Sequence, residues 1–227
     1  MNSKCEERGI HIVQLERVVN SPNFLVFVQG SWEVADNQRN LRASQMIADE
    51  MLASTLLYES PRNRLSLQKA TTNEDWQAAF NGRNYLDELE SLLAAINHLK
   101  NEYRPQKIFL SGSSYGGGLV TLVLGIRRDI DGVLLHAPQI IASEELKRIN
   151  IYQEMPAPER YLEAIAGFSG KVRMIHGDKD RVIPLQHSLT LYSHVQTTDR
   201  KLILLPGNHT FTDNLAGYAQ EHVELLR

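Results

Sequence analysis

Short apolar runs rich in branched side chains alternate along this chain with longer stretches whose apolar residues recur every three or four positions. The first pattern is that of strands and the second that of helices with one buried face. Strands are predicted over residues 10–19, 24–29, 54–58, 107–111, 132–136, 172–176 and 201–205. Leu25 to Val28 and Leu202 to Leu205 are continuous apolar runs, as strands covered on both faces require. Between the strands, Tyr85, Leu89, Leu92, Ile96, Leu99 and Tyr103 trace one helical stripe. Tyr115, Leu119, Leu122 and Ile126 trace another, and Leu215, Tyr218, His222 and Leu226 a third. Such alternation predicts an α/β fold in which helices flank a mainly parallel sheet. At 227 residues the chain is expected to form a single domain, 1–227, around one well-buried core.

Two stretches break the alternation, 61–83 and 139–170. The second mixes Ile140, Ile141, Ile151, Tyr152, Met155, Tyr161 and Phe168 with charged residues, and Pro156 and Pro158 interrupt it. Both follow carboxyl ends of predicted strands, where open parallel sheets place their ligand crevice. A small cap over 139–170 is therefore expected, with plain connecting structure as the alternative.

The chemistry concentrates where the strand 107–111 runs into Gly112-Ser113-Ser114-Tyr115-Gly116-Gly117-Gly118 and a helical pattern begins. A serine on so tight a strand-to-helix turn sits in strained backbone. Glycines two before and two after it are needed because side chains there would collide with neighbouring elements. Ser114 has this spacing. Ser113 does not, since Tyr115 stands two residues after it. The helix aims its amides at Ser114, and the amide of Tyr115 is the first expected oxyanion donor. A hydroxyl needs a base. Among eight histidines, His209 follows the last predicted strand, whereas His136 and His176 end apolar runs and are expected in the interior. An acid must then orient the imidazole. Asp178 and Asp180 compete after the strand ending at His176; Asp180 lies further out, and Asp178 has the alternative role of a turn cap. The turn Gly30-Ser31-Trp32 ends the strand 24–29 and offers Ser31, or next Trp32, as the second oxyanion amide. The Trp32 side chain is expected either to line an acyl pocket or to join the core.

Charge and cysteine usage narrow the classes. A net charge of -3 and a pI near 6.2 provide no basic field, so nucleic acid is not an expected partner. Arg62 with Arg64, and Arg127 with Arg128, are read as solvated surface. The lone Cys5 permits no internal disulfide. Residues 1–8 are polar, without the apolar stretch of a secretory leader, and no run is long enough to cross a bilayer. A cytoplasmic protein without a membrane partner is the expectation.

The segments around Ser114, Gly177-Asp178-Lys179-Asp180-Arg181-Val182-Ile183-Pro184 and Gly207-Asn208-His209 together resemble the α/β-hydrolase superfamily, in the chain order Ser, Asp, His. Its common G-x-x-D-x-x-V-P turn, laid on this chain, places the acid at Asp180, with Ile183 in place of Val. Two departures stand out. Gln29-Gly30 replaces the usual His-Gly of the oxyanion turn, and residues 59–64 lack the Arg-Gly-x-Gly turn of many relatives. The resemblance implies the α/β-hydrolase fold and a serine esterase acting on a small-molecule ester through Ser114, His209 and Asp180, with no cofactor and no metal. A serine peptidase resembling the prolyl oligopeptidase catalytic domain, or a non-catalytic binding protein on the same scaffold, are the alternatives.

Overall fold

The structure is a computed structural model that describes residues 11–16, 18, 21–61 and 69–227. Seven strands form one sheet: β1 (His11–Glu16), β2 (Asn23–Val28), β3 (Ser54–Glu59), β4 (Lys107–Ser113), β5 (Gly132–His136), β6 (Lys171–Gly177) and β7 (Arg200–Leu205). Their order is β1-β3-β2-β4-β5-β6-β7. All neighbours pair in parallel except β1, which runs antiparallel to β3. The helices are α1 (Gln38–Asp49), α2 (Asn73–Ala79), α3 (Tyr85–Tyr103), α4 (Tyr115–Ile126), α5 (Pro158–Ala166), α6 (Leu185–His194) and α7 (Leu215–Leu226).

Side chains alternate across a strand, and here the alternation feeds two cores. Val26, Leu56, Ile108, Leu110, Val133 and Met174 face the side that carries α3, α4 and α5. Leu25, Phe27, Leu57, Phe109, Leu134 and Ile175 face the side where α1 packs against α7. The layers match the predicted doubly covered sheet. Two expectations need correction. The run Leu202 to Leu205 is not covered on both faces: β7 is the edge strand, and Leu204 is 54% exposed. Nor does α4 show only one buried face. Tyr115 to Leu124 are all buried, because α4 lies between the sheet and its neighbouring helices α3 and α5; only its end, with Ile126, emerges.

The two irregular stretches differ from each other. Residues 62–68 of the first, with Arg62 and Arg64, lie outside the described residues, as do Cys5 and residues 1–10. The remainder of that stretch carries α2, whose N-cap Thr72 and Asp75 bond each other's backbone amides. In the second, α5 is the crossover helix packed on α4, while residues 139–155 hold two short 3₁₀ turns, Leu146–Arg148 and Asn150–Tyr152. Ile140, Ile151, Tyr152, Tyr161 and Phe168 are buried in the common core. Among the described residues no helix is long and apolar enough to cross a membrane.

Helix α4 starts so close to the sheet that the sequence around it is constrained. A Cβ at Gly116 would lie 2.4 Å from the Gln29 carbonyl oxygen and 2.5 Å from that of Val28. A Cβ at Gly112 would lie 2.6 Å from the Gly116 oxygen. All these neighbours are backbone and cannot swing aside. Gly116→Ala is therefore expected to destabilise the protein by about 2 kcal/mol or more, as overpacking does. A urea unfolding midpoint equal to that of the parent would contradict this.

Candidate active site

Ser114 stands between β4 and α4 with φ 53° and ψ −117°, a region that residues with a side chain rarely occupy. Its backbone is held at both ends. The Ser114 amide donates to the His136 carbonyl at 2.8 Å, and its carbonyl accepts from Gln139 at 2.9 Å and Gly118 at 3.2 Å. Ser113, on the same turn, points elsewhere: its hydroxyl meets Arg39 Nη2 at 2.6 Å and His136 Nδ1 at 3.0 Å. The register read from the glycine spacing thus separates the two serines as the fold does.

Asp180 and His209 come together from the ends of β6 and β7. His209 Nδ1 donates to Asp180 Oδ2 at 2.6 Å, which leaves Nε2 as the nitrogen with a free lone pair. The Asp180 side chain is fully buried, and its Oδ1 accepts from the amides of Val182 at 2.8 Å and Ile183 at 3.0 Å. Burial would push this carboxyl up. The hydrogen bond and charge of His209 and the two amides outweigh it, so the group is held below the usual carboxylate range. Asp178 does not cap its own turn, as one reading had it. Its Oδ1 accepts from the Gly207 amide at 2.9 Å and ties the β6 loop to the β7 loop that carries His209.

Among the described residues no hydrogen bond joins Ser114 to His209. His136 neighbours both: its carbonyl holds the Ser114 amide, and its ring centroid is 5.5 Å from that of His209. In ligand-free sites such bonds are often open and tighten with substrate.

The turn after β2 lies directly alongside. A point at the Cβ position of Gly30 is 3.6 Å from Ser114 Cβ and 3.0 Å from Glu33 Oε2. Ser31 is buried, with its hydroxyl 2.7 Å from that of Tyr152. Tyr115 is also buried and donates its hydroxyl to the Ile151 carbonyl at 2.9 Å. The 3₁₀ turn Asn150–Tyr152 is thereby bonded to both residues expected to supply oxyanion amides. Trp32 does not join the core. It is 40% exposed, and its ring lies 5.7 Å from that of Trp76 on α2.

Four neighbours of the site have no role assigned from the sequence: Trp76, Arg39 and Glu33, and Tyr152, which the sequence places only within the expected cap. Trp76 and Tyr152 sat inside the two irregular stretches, where an aromatic among charges was the available signal. Arg39 and Glu33 carry no signal in the sequence, and only the fold brings them behind the turn.

Three histidines behind the site are buried, and burial lowers the proton affinity of each. His136 is held well below its ordinary value and His176 below it. His222 is pushed down to about 4. Its Nδ1 donates to the Tyr218 carbonyl at 2.9 Å, so its Nε2 accepts from Ser111 at 2.7 Å as a neutral ring. The ligand atoms of His136, Asp180 and His209 also lie within 4.8 Å of one another. A divalent cation there would have to displace the proton that His209 shares with Asp180.

Residues 70–214, a span containing Ser114, Asp180 and His209, match the sequence profile of the prolyl oligopeptidase family, peptidase S9. The chain belongs to the prolyl oligopeptidase family. Over 149 residues it is 29% identical to the uncharacterized protein YfhR of Escherichia coli O157:H7 and of strain K12, an alignment covering 63% of this chain and 50% of theirs. The chain spans about half the length of the curated relatives it matches. Among solved structures it is similar to Est1E from Butyrivibrio proteoclasticus, with ferulic acid bound, at TM-score 0.71 and 16% identity over 100% of this chain and 97% of that one. A dienelactone hydrolase from Anabaena variabilis gives 0.69 and 15% over 96% and 97%. An esterase from Pyrococcus furiosus gives 0.68 and 12% over 96% and 89%. The fold is the α/β-hydrolase fold.

The buried neutral histidines set a pH dependence. Their folded-state affinities lie below the unfolded ones, so as the pH falls from about 6.5 the unfolded chain takes up protons first. Stability is full above that value and declines toward pH 4, with His222 contributing up to about 3 kcal/mol of the loss. Urea titrations at pH 7, 5.5 and 4.5 should show the decline, and a smaller one in His222→Gln. A flat profile would contradict it.

Proposed function

We propose that this protein cleaves a carboxylic ester of a small molecule through a covalent acyl-enzyme on Ser114. The observation that carries the reading is the left-handed backbone of Ser114 set beside the Gly30 turn, with His209 bonded to the buried Asp180 carboxylate on adjoining loops. His209 Nε2 takes the Ser114 proton as the oxygen attacks the ester carbonyl. Asp180 orients the imidazole and stabilises its charged form. The amides of Tyr115 and Ser31 receive the oxyanion. The Tyr115 hydroxyl bonds the Ile151 carbonyl and the Ser31 hydroxyl bonds the Tyr152 hydroxyl, which holds both in place. His209 passes its proton to the departing alcohol. Water then adds to the acyl carbonyl with His209 again as base, and Ser114 regains its proton as the acid leaves.

Similarity along nearly the whole chain to a dienelactone hydrolase and to an esterase supports an ester as substrate. The half-exposed Trp32, paired with Trp76, offers an apolar wall for one side of it. The family match favours a second reading, a peptide bond as the target of the same groups. Ser114→Ala should lower turnover of p-nitrophenyl acetate by about 10³-fold or more while the unfolding midpoint stays unchanged. Parental turnover in that variant would end the proposal. An ester and an anilide sharing one acyl group separate the two readings: kcat/KM should favour the ester by about 100-fold or more, and the reverse preference would select the peptidase.

A further inference from the structure

Helix α1 sends one cation into the back of the site. The Arg39 side chain is 3% exposed, and its guanidinium touches three separate segments of the chain. Nη2 is paired with Glu33 Oε2 and donates to Ser113 Oγ at 2.6 Å; Nη1 reaches the carbonyl of Thr210, the residue after His209, at 3.4 Å. The ring of Tyr218 lies beneath it, with its centroid 5.5 Å away. Glu33 Oε2 also accepts the Gly30 amide at 3.2 Å, so one carboxylate oxygen serves both the cation and the turn.

This placement has an electrostatic consequence. Glu33 Oε2 and Ser114 Cβ both lie within 3.6 Å of the Cβ position of Gly30. A bare carboxylate there, with its side chain only 19% exposed, would oppose the negative charge that grows on the substrate oxygen during attack on its carbonyl. A neutral acceptor would anchor the Gly30 amide without that penalty. The chain instead uses a charged acceptor and covers it with a buried guanidinium, whose planar fork reaches the carboxylate and the nucleophile's neighbour together.

We infer that Arg39 is a positioning residue for the hydrolysis proposed above: it cancels the Glu33 charge beside the oxyanion and keeps the Gly30 turn, Ser113 and the His209 loop in register. It touches no reacting atom and acts through Glu33 and Ser113. In this chain the pair supports the turn that follows Gln29.

The test is steady-state hydrolysis of p-nitrophenyl acetate, with kcat expressed per active site titrated by the burst. Arg39→Met should lower kcat about 100-fold and leave KM within about threefold. The double variant Arg39→Met/Glu33→Gln should regain about tenfold, because the uncovered charge is gone. A merely structural role would lower the unfolding midpoint but leave kcat per titrated site at the parental value, which would overturn the inference. So would a double variant no faster than the single one. Should Arg39→Met fail to fold, Ser113→Ala decides, since it cuts the link to the nucleophile's turn with little change in volume. A fall in kcat of about tenfold at a parental midpoint supports the inference, and an unchanged kcat overturns it. The inference rests on Ser114 as nucleophile. An active Ser114→Ala would sink that foundation, whereas an inert Ser114→Ala beside a fully active Arg39→Met would sink the role of Arg39 alone.

Discussion

Helix α4 approaches the sheet more closely than any side chain would permit, and this contact holds Ser114 in its left-handed conformation. Backbone oxygens of Val28, Gln29 and Gly116 occupy the space where Cβ atoms of Gly112 and Gly116 would stand. A residue other than glycine in that conformation costs of order 1–3 kcal/mol. The three backbone hydrogen bonds to Ser114, each contributing about 1 kcal/mol, offset that cost. They come from His136, Gln139 and Gly118, so the turn is braced by β5 and the chain leaving it as well as by its own helix. The same approach lays the Gly30 turn beside the serine. Strain, donors and nucleophile therefore share one geometric cause.

Much of this was legible in the sequence because glycine leaves a mark wherever backbone meets backbone. The spacing around Ser114 discriminates it from Ser113, and the fold separates the two in the same way. The G-x-x-D turn marks Asp180, which the structure brings to His209 while Asp178 joins two loops instead. Short apolar runs located the strands, since each central strand feeds one core on each face. What pattern could not show was position within the layers. Leu202 to Leu205 read as a central strand, yet β7 lies at the edge. Spacing suggested one apolar face for α4, but the helix is enclosed nearly all round.

Long-range charge pairing was illegible for a different reason. Nothing in the letters distinguishes Arg39 or Glu33 from solvated surface, because their burial depends on α1 lying against the loops of β2, β4 and β7. Aromatic residues in irregular stretches pose the same difficulty. Tyr152 and Trp76 acquire meaning only once Ser31 and Trp32 are seen beside them. Residues 139–155 thus do more than connect β5 to α5: their backbone and side chains carry the hydrogen bonds that brace the Ser114 turn and the Ser31 turn. The fold converts a segment without sequence periodicity into a brace for these two turns.

Activation of Ser114 by the His209–Asp180 pair is tested directly by covalent capture. The intact protein would be treated with a fluorophosphonate at neutral pH, weighed, digested and mapped. One adduct per chain, on Ser114 in the parent and lost in His209→Ala, is the result this account predicts. An unlabelled parent, an adduct on another residue, or equal labelling of His209→Ala would contradict it.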